Sequence, residues 1–270
     1  MKKLLAFLFV LTLGLTACSS KESANEISIG TIAGPETQLM AVAKKVALEK
    51  YGLEVKIVTF SDYNTPNAAV NDGSLNANAF QHLPYLQAQN AARGYQLVPV
   101  AKTFVYPMGI YSHKIKQLSQ LKAGAKVAIP QDPSNEARAL LLLQKAGLIT
   151  LRANTSVNAT TLDILKNPKK LQFIALNAAQ LPRSLSDVTI AAINTNFAVP
   201  AGLSPNQALF LEGPDSLYAN LIVVRADEVD APKVKKLVAA FQSEAVVKAA
   251  QKIFGADAAI PAFNVKSGKN

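Results

Sequence analysis

One stretch of the sequence, Lys126–Gly147 (KVAIPQDPSNEARALLLLQKAG), decides the fold. Its apolar segment Val127–Ile129 predicts a buried strand, and Ala139–Ala146 predicts a helix. Asp132 is the expected N-cap of that helix, and Pro133 suits its first position because the N–H that proline lacks would be unpaired there. The stretch therefore predicts a strand, a tight loop and a helix, which is the repeating unit of α/β folds.

The start of this helix has the chemistry of an anion-binding site. Its unpaired N–H groups and the positive end of its dipole face the carboxyl edge of the strand. Asn135 and Arg138 are three residues apart and therefore share one face of the helix. Arg138 could hold a carboxylate with two parallel hydrogen bonds, while Asn135 adds a neutral donor and acceptor. The alternative is that Arg138 is a solvated arginine near a helix start.

The first residues predict export rather than a membrane span. A short basic segment precedes Leu4–Leu15, an apolar run that is too short to cross a bilayer comfortably. The run leads to Cys18, the only cysteine of the chain. This arrangement resembles bacterial lipoprotein precursors, in which the signal is cleaved before the cysteine and the cysteine receives lipid. We expect a signal peptide over residues 1–17, a lipid such as palmitate on Cys18, and a polar tether over residues 18–25.

The composition favours a two-lobed protein and argues against nucleic acid as a partner. Half of the 270 residues are apolar, which is enough for a sizeable core. The formal charge of +10 falls to +8 when Lys2 and Lys3 leave with the signal, which contains no acidic residue. The remaining lysines are scattered, without long runs or interleaved aromatic residues. A single lipidated cysteine gives no disulfide framework, and we predict no cofactor and no metal site.

Strands and helices alternate from Glu26 onward. Strands are predicted over Ile27–Ile32, Leu53–Phe60, Leu75–Phe80 and Gln96–Phe104, with helices between them over Glu36–Tyr51, from Pro66 to Asp72 and from Pro84 to Gly94. Strands separated by helices indicate a mainly parallel sheet with right-handed crossovers. Ligands of such sheets bind beyond the carboxyl ends of the strands.

Aromatic residues gather in the loops that follow these strands. Tyr63, the run from Phe80 through His82 to Tyr85, and Tyr106 each come just after a predicted strand or at its end. Because these strand ends meet at one edge of the sheet, we predict an aromatic-lined cleft there. The alternative is that each ring belongs to the core and that His82 is a structural histidine.

A second α/β series follows and predicts a second lobe. Its strands are Met108–Tyr111, which leaves the first lobe, then Val127–Ile129, Lys170–Leu176 and Val188–Ile193, and Tyr218–Val224 returns. Asn194 ends one of these strands and is expected to reach the cleft. Two connecting strands indicate a hinge with the cleft between the lobes. The predicted first lobe spans residues 26–107 and 221–264, the second spans residues 108–220, and residues 265–270 form a tail.

Four motifs carry a resemblance to a known family. They are Asn71–Leu86 (NDGSLNANAFQHLPYL), Thr103–Pro107 (TFVYP), Asp132–Arg138 (DPSNEAR) and Gln180–Leu185 (QLPRSL). In this order, and together with Cys18, they resemble the methionine-binding lipoproteins of bacterial ABC importers over nearly the whole mature chain. The resemblance implies a two-lobed, type II-like periplasmic-binding-protein fold. It also implies capture of L- or D-methionine for an ABC permease and its ATPase partners, by a protein that we expect to be a monomer.

The resemblance also assigns binding residues. The side-chain pocket would be lined by Tyr63, Phe80, His82 and Tyr85, and the amino-acid head group would be held by Asn135, Arg138, Asn194 and Asn220. Asn76 and Ala137 depart from the family pattern, which usually has Asp and commonly has Gly at these two positions. These departures could affect contacts near the cleft or the approach of the backbone to the head group.

Three alternatives remain at this stage. The protein could bind another small amino acid, or act as an anchored adhesin or surface antigen. An enzyme is the third class, since Ser119-Gln120-Leu121-Lys122 matches the Ser-x-x-Lys pattern of penicillin-recognising enzymes. Their middle motif is missing, and Ser119 also suits the cap of a short turn. We therefore predict that the chain is not an enzyme.

Overall fold

The computed structural model of the protein describes residues 25–213, 216–254 and 259–265. The predicted signal peptide, Cys18 and the tail residues 266–270 lie outside these ranges. Within them, no helix is both long enough and apolar enough to cross a bilayer.

The strands and helices alternate along the chain as predicted. The strands are β1 (Glu26–Ile32), β2 (Glu54–Phe60), β3 (Ala77–His82), β4 (Leu97–Val105), β5 (Gly109–Tyr111), β6 (Lys126–Pro130), β7 (Thr150–Leu151), β8 (Ile164–Lys166), β9 (Gln172–Leu176), β10 (Ile190–Ile193), β11 (Phe210–Leu211), β12 (Ala219–Arg225) and β13 (Ile260–Pro261). The helices are α1 (Pro35–Tyr51), α2 (Pro66–Asn71), α3 (Leu83–Arg93), α4 (Pro133–Lys145), α5 (Leu181–Ser184), α6 (Thr195–Ala198), α7 (Pro232–Phe241) and α8 (Glu244–Phe254).

The first lobe is built on a six-stranded sheet in the order β13-β4-β12-β3-β1-β2. Strands β1, β2 and β3 are parallel, and β12 is antiparallel to both β3 and β4, so β4 runs with the first three. Helices α1, α7 and α8 pack on one core, whose largest buried side chains include Phe104 and Phe241. The sheet is thus mainly parallel, and β12, one of its antiparallel strands, is the strand that returns from the other lobe.

The second lobe is built on a five-stranded sheet in the order β11-β5-β10-β6-β9. Strands β6, β9 and β10 are parallel, whereas β5 is antiparallel to β10 and β11. Here too the antiparallel strand is the one that has just crossed from the other lobe. The α/β class, the two lobes and the two crossing strands are therefore confirmed, and the exact lobe limits stay a prediction.

Helix α4 forms as the sequence predicts. Asp132 is its N-cap, and the side chain accepts a hydrogen bond from the Asn135 backbone N–H at 3.0 Å. The leucines of its inner face, among them Leu140 and Leu143, are fully buried in the core of the second lobe. The carboxyl end of β6 and the start of α4 therefore lie at the edge of the sheet where the sequence placed them.

One local prediction is wrong at the level of individual residues. Strand β3 runs from Ala77 to His82 rather than from Leu75 to Phe80, so His82 ends the strand and caps helix α3. Helix α7 has Ala231 as its N-cap, without a side-chain cap. Asp230, which precedes this helix, pairs with Lys235, one turn into it.

Candidate functional site

A small cavity lies between the two lobes. It is lined by Tyr63, Phe80, Gln81, His82, Tyr85, Tyr106, Asn135, Arg138, Asn194, Thr195, Asn196 and Asn220. All eight residues that the sequence singled out are in this set. Seven of the eight are at most 6 % exposed, and Tyr63 is half-buried. The structure thus brings the predicted residues together, and their contact with a ligand stays a prediction.

Aromatic rings form the wall on the side of the first lobe. Tyr63 lies 5.7 Å from Phe80 and 5.9 Å from Tyr85, measured between ring centroids. The Tyr85 hydroxyl donates to the backbone carbonyl of Tyr63 at 2.8 Å, which holds the Tyr85 ring in place. Phe197, in α6 of the second lobe, lies 4.9 Å from Tyr63. The wall is therefore dry, polarisable and in contact with the opposite lobe.

His82 has a structural role at the entrance of α3. Its Nδ1 accepts the Tyr85 backbone N–H at 3.2 Å, so the proton of the neutral ring lies on Nε2. Nε2 then donates to Asn135 Oδ1 at 3.3 Å, across the two lobes. Burial, with Arg138 nearby, lowers the pKa of His82 to about 3. His82 is therefore neutral over the physiological range.

Arg138 is held by the segments that connect the lobes. Its Nε and Nη2 donate to the Glu212 carboxylate, and Nη2 also donates to the Tyr106 carbonyl at 3.0 Å. The guanidinium lies 4.5 Å from the centre of the Tyr218 ring. The two parallel hydrogen bonds expected for a ligand carboxylate are thus made to Glu212. Of the three guanidinium nitrogens of Arg138, Nη1 alone makes no hydrogen bond to a described residue, so its two N–H groups are not used within the described structure.

Asn135 and Asn194 form a directed chain of amides. Asp132 accepts from Asn135 Nδ2 with both carboxylate oxygens, at 2.9 and 3.1 Å. Asn135 Oδ1 in turn accepts from Asn194 Nδ2 at 2.8 Å. The polar atoms of Asn135 are therefore engaged inside the protein, whereas Asn194 Oδ1 is buried without a partner in the described structure. The chain presents an unpaired acceptor at the cavity.

A third carboxylate lies next to the cavity lining, in the first turn of α1. Glu36 is 2 % exposed and accepts from Asn196 Nδ2 at 3.1 Å and from Asn220 Nδ2. Burial raises the pKa of Glu36 to about 8, although the two amides oppose the shift. Asn196 Oδ1 is another buried acceptor without a partner among the described residues. The lining of the cavity thus combines the cation of Arg138 with unpaired oxygen acceptors on Asn194 and Asn196.

Sequence reasoning missed several residues of this site. Glu36 follows strand β1 directly, and the rule that ligands bind beyond strand ends could have identified it. Asn196 and Phe197 lie just beyond Asn194 and could have been found in the same way. Glu212 lies in the second connection between the lobes, where no local pattern marks it.

Neither departure from the family pattern lies at the cavity. Asn76 precedes β3 at the end opposite to His82, and its Oδ1 accepts from the Ser28 backbone N–H at 2.8 Å. Ala137 is fully buried in the core of the second lobe. Neither of these two side chains can therefore contact a ligand in the cavity directly.

Comparison with known proteins identifies the family of the chain. A profile of the family described as NlpA lipoprotein matches residues 27–263. A D-methionine-binding lipoprotein MetQ from Salmonella typhi is 52% identical over 251 residues, covering 92% of this chain and 93% of the relative. The solved periplasmic substrate-binding protein of an ABC transporter from Coxiella burnetii is 64% identical, with a TM-score of 0.85 over 87% of this chain and 100% of its own.

A further solved structure is described as a nutrient binding protein from Burkholderia cenocepacia bound to methionine. It is 52% identical, with a TM-score of 0.85 over 88% of this chain and 100% of its own. The resemblance seen in the sequence motifs is confirmed by these matches. The chain belongs to the NlpA lipoprotein family.

Proposed function

We propose that this protein is the lipid-anchored substrate-binding component of an ABC importer and that it captures methionine between its lobes. The proposal rests on three features of one cavity. These are an arginine nitrogen without a hydrogen-bond partner in the described structure, amide oxygens without such partners, and a wall of aromatic rings. Two relatives support the same ligand: one is named a D-methionine-binding lipoprotein, and the other is described as bound to methionine. They are binding proteins, and the function is binding rather than catalysis.

Each part of methionine has a matching group at the site. The carboxylate binds Nη1 of Arg138, which adds charge-assisted hydrogen bonds to a guanidinium already fixed by Glu212. The ammonium binds the unpaired oxygens of Asn194 and Asn196. The thioether packs on Phe80 and the tyrosines beside it, where each sulfur–aromatic contact contributes roughly 0.3–1.5 kcal/mol.

Ligand binding and closure of the lobes are coupled in this proposal. In the structure, His82 reaches Asn135 and Tyr63 reaches Phe197 across the cleft. A ligand held by groups from both lobes binds the closed form better than the open one and shifts the equilibrium toward it. The closed form then presents both lobe rims to the permease, which works with cytoplasmic ATPases.

The proposal places the protein in the cell envelope, where lipid on Cys18 holds it at a membrane. Each buried methylene of an acyl chain adds about 0.8 kcal/mol, so several chains make release slow. Binding by a monomer is sufficient, because both lobes of one chain line the cavity. Replacing Cys18 with Ser is expected to release the protein from the membrane fraction of its host, and retention of that variant would contradict the anchor.

Calorimetric titration of the lipid-free mature chain with each common amino acid tests the ligand. We expect saturable heat with methionine and much weaker binding of the others. If the protein bound a different amino acid tightly and did not bind methionine, that amino acid would be assigned as the ligand instead. Absence of binding to any amino acid would refute the capture function.

A further inference from the structure

Glu36 controls the orientation of two amides from opposite lobes. Asn196 belongs to α6 of the second lobe and Asn220 to β12 of the first, and both donate through Nδ2 to the Glu36 carboxylate. Asn220 Nδ2 also donates to the Phe80 carbonyl at 3.1 Å. Both of its N–H groups are therefore used, and only its Oδ1 is left to meet a ligand.

The same argument applies to Asn196. With Nδ2 held by Glu36, its Oδ1 lies buried at the cavity wall without a partner in the described structure. An ionised carboxylate accepts hydrogen bonds and donates none, so it cannot be satisfied by a flipped amide. In its ionised form Glu36 thus holds both amides with nitrogen turned toward the carboxylate and oxygen left for the ligand, and the Phe80 carbonyl favours the same orientation of Asn220.

We propose that Glu36 is the positioning residue through which this site recognises the ammonium group of its ligand. This inference rests on the proposed function, in which the ligand is methionine. Because the two amides come from different lobes, the full set of acceptors forms only when the lobes close. Recognition of the ammonium and closure of the cleft are therefore one event.

The electrostatics of Glu36 support this role. No cation among the described residues forms an ion pair with it, and burial raises its pKa to about 8. A buried carboxylate without a counter-charge is costly, and a ligand ammonium would supply the missing positive charge. The ligand is thus expected to favour the ionised form of Glu36, which is the form that orients both amides.

The test compares two ligands that differ only at this group. One is methionine, and the other is its α-hydroxy analogue, in which a hydroxyl replaces the ammonium. In Glu36→Gln an NH2 group replaces one carboxylate oxygen, which favours turning Asn196 so that its oxygen faces the glutamine and its nitrogen faces the ligand. We expect methionine affinity to fall roughly 10- to 100-fold. A hydroxyl can donate or accept, so affinity for the analogue should change less than about threefold.

Glu49→Gln is the matched control, because Glu49 lies on the exposed face of the same helix. It should leave both affinities unchanged. An equal loss for both ligands in Glu36→Gln, or unchanged discrimination between them, would overturn the inference. Failure of the unaltered protein to bind methionine would instead overturn the proposed function, so the two failures are distinguishable.

A second variant covers the case in which Glu36→Gln does not fold. Asn196→Ala removes one of the two oriented oxygens and leaves the carboxylate in place. Selective loss of methionine affinity relative to the hydroxy analogue supports the inference. An equal loss for both ligands, or no loss, contradicts it.

Discussion

Two glutamates accept hydrogen bonds from side chains that line the cavity, and they differ in the charge of these partners. Glu212 accepts from Arg138 Nε and Nη2 and from the Met108 backbone N–H, so its charge is neutralised within the protein. Glu36 is more deeply buried and has only neutral amides as partners. Glu212 therefore has its counter-charge before a ligand arrives, whereas Glu36 lacks a positive charge that the ligand can bring.

Removing the cation should have the largest effect. Arg138→Ala deletes the group proposed to bind the ligand carboxylate and leaves Glu212 without its partner. We expect methionine binding to weaken by about 3–5 kcal/mol, which is two to three orders of magnitude in Kd. Calorimetry measures this loss, and the exposed Arg152→Ala on the same lobe is the control. Unchanged affinity in Arg138→Ala would refute the assignment.

Neutralising the two glutamates should change stability in opposite directions. Glu212→Gln removes the counter-charge of a buried arginine and should destabilise the ligand-free protein by roughly 2–3 kcal/mol. Glu36→Gln removes a buried carboxylate without a cation and should stabilise the ligand-free protein at pH 8. Urea unfolding of both variants measures these changes, and the same sign in both would contradict the comparison.

The effect of Glu36 on stability should also depend on pH. Its pKa is about 8 in the folded protein, against 4.5 for the ordinary group. Between these values the folded state holds a proton that the unfolded chain has lost, so stability falls as pH rises through this window. We expect the advantage of Glu36→Gln over the unaltered protein to grow steadily from pH 4.5 to 8. A pH-independent difference would exclude a raised pKa.

The smallest effect is expected at the aromatic wall. Phe80→Leu keeps an apolar side chain but removes the ring, so methionine binding should weaken by about 1 kcal/mol. Norleucine, which has a methylene in place of the sulfur, should lose less. Titration of both ligands measures the difference, and an equal loss would show that the ring contributes only apolar area.

Sequence periodicity and strand-end rules predicted most of the fold and the membership of the site. They identified the strand, loop and helix around Asp132, because caps and apolar spacing are local properties. They also placed Phe80 at one edge of the first sheet and Asn194 with Arg138 at one edge of the second, because carboxyl ends of neighbouring parallel strands share an edge. The full set of eight binding residues came from the resemblance to the family. What they could not give is the partner of each polar group within that cavity.

The sequence by itself determined the order of strands and helices and the residue types that meet between the lobes. The tertiary structure decided which polar atoms of these residues form hydrogen bonds within the protein and which do not. Arg138 pairs with Glu212 across 74 positions, and Glu36 pairs with Asn196 and Asn220 across 160 and 184. The reason is that hydrogen bonds depend on direction and distance in space. Spacing along the chain specifies those only within a single helix or a strand pair.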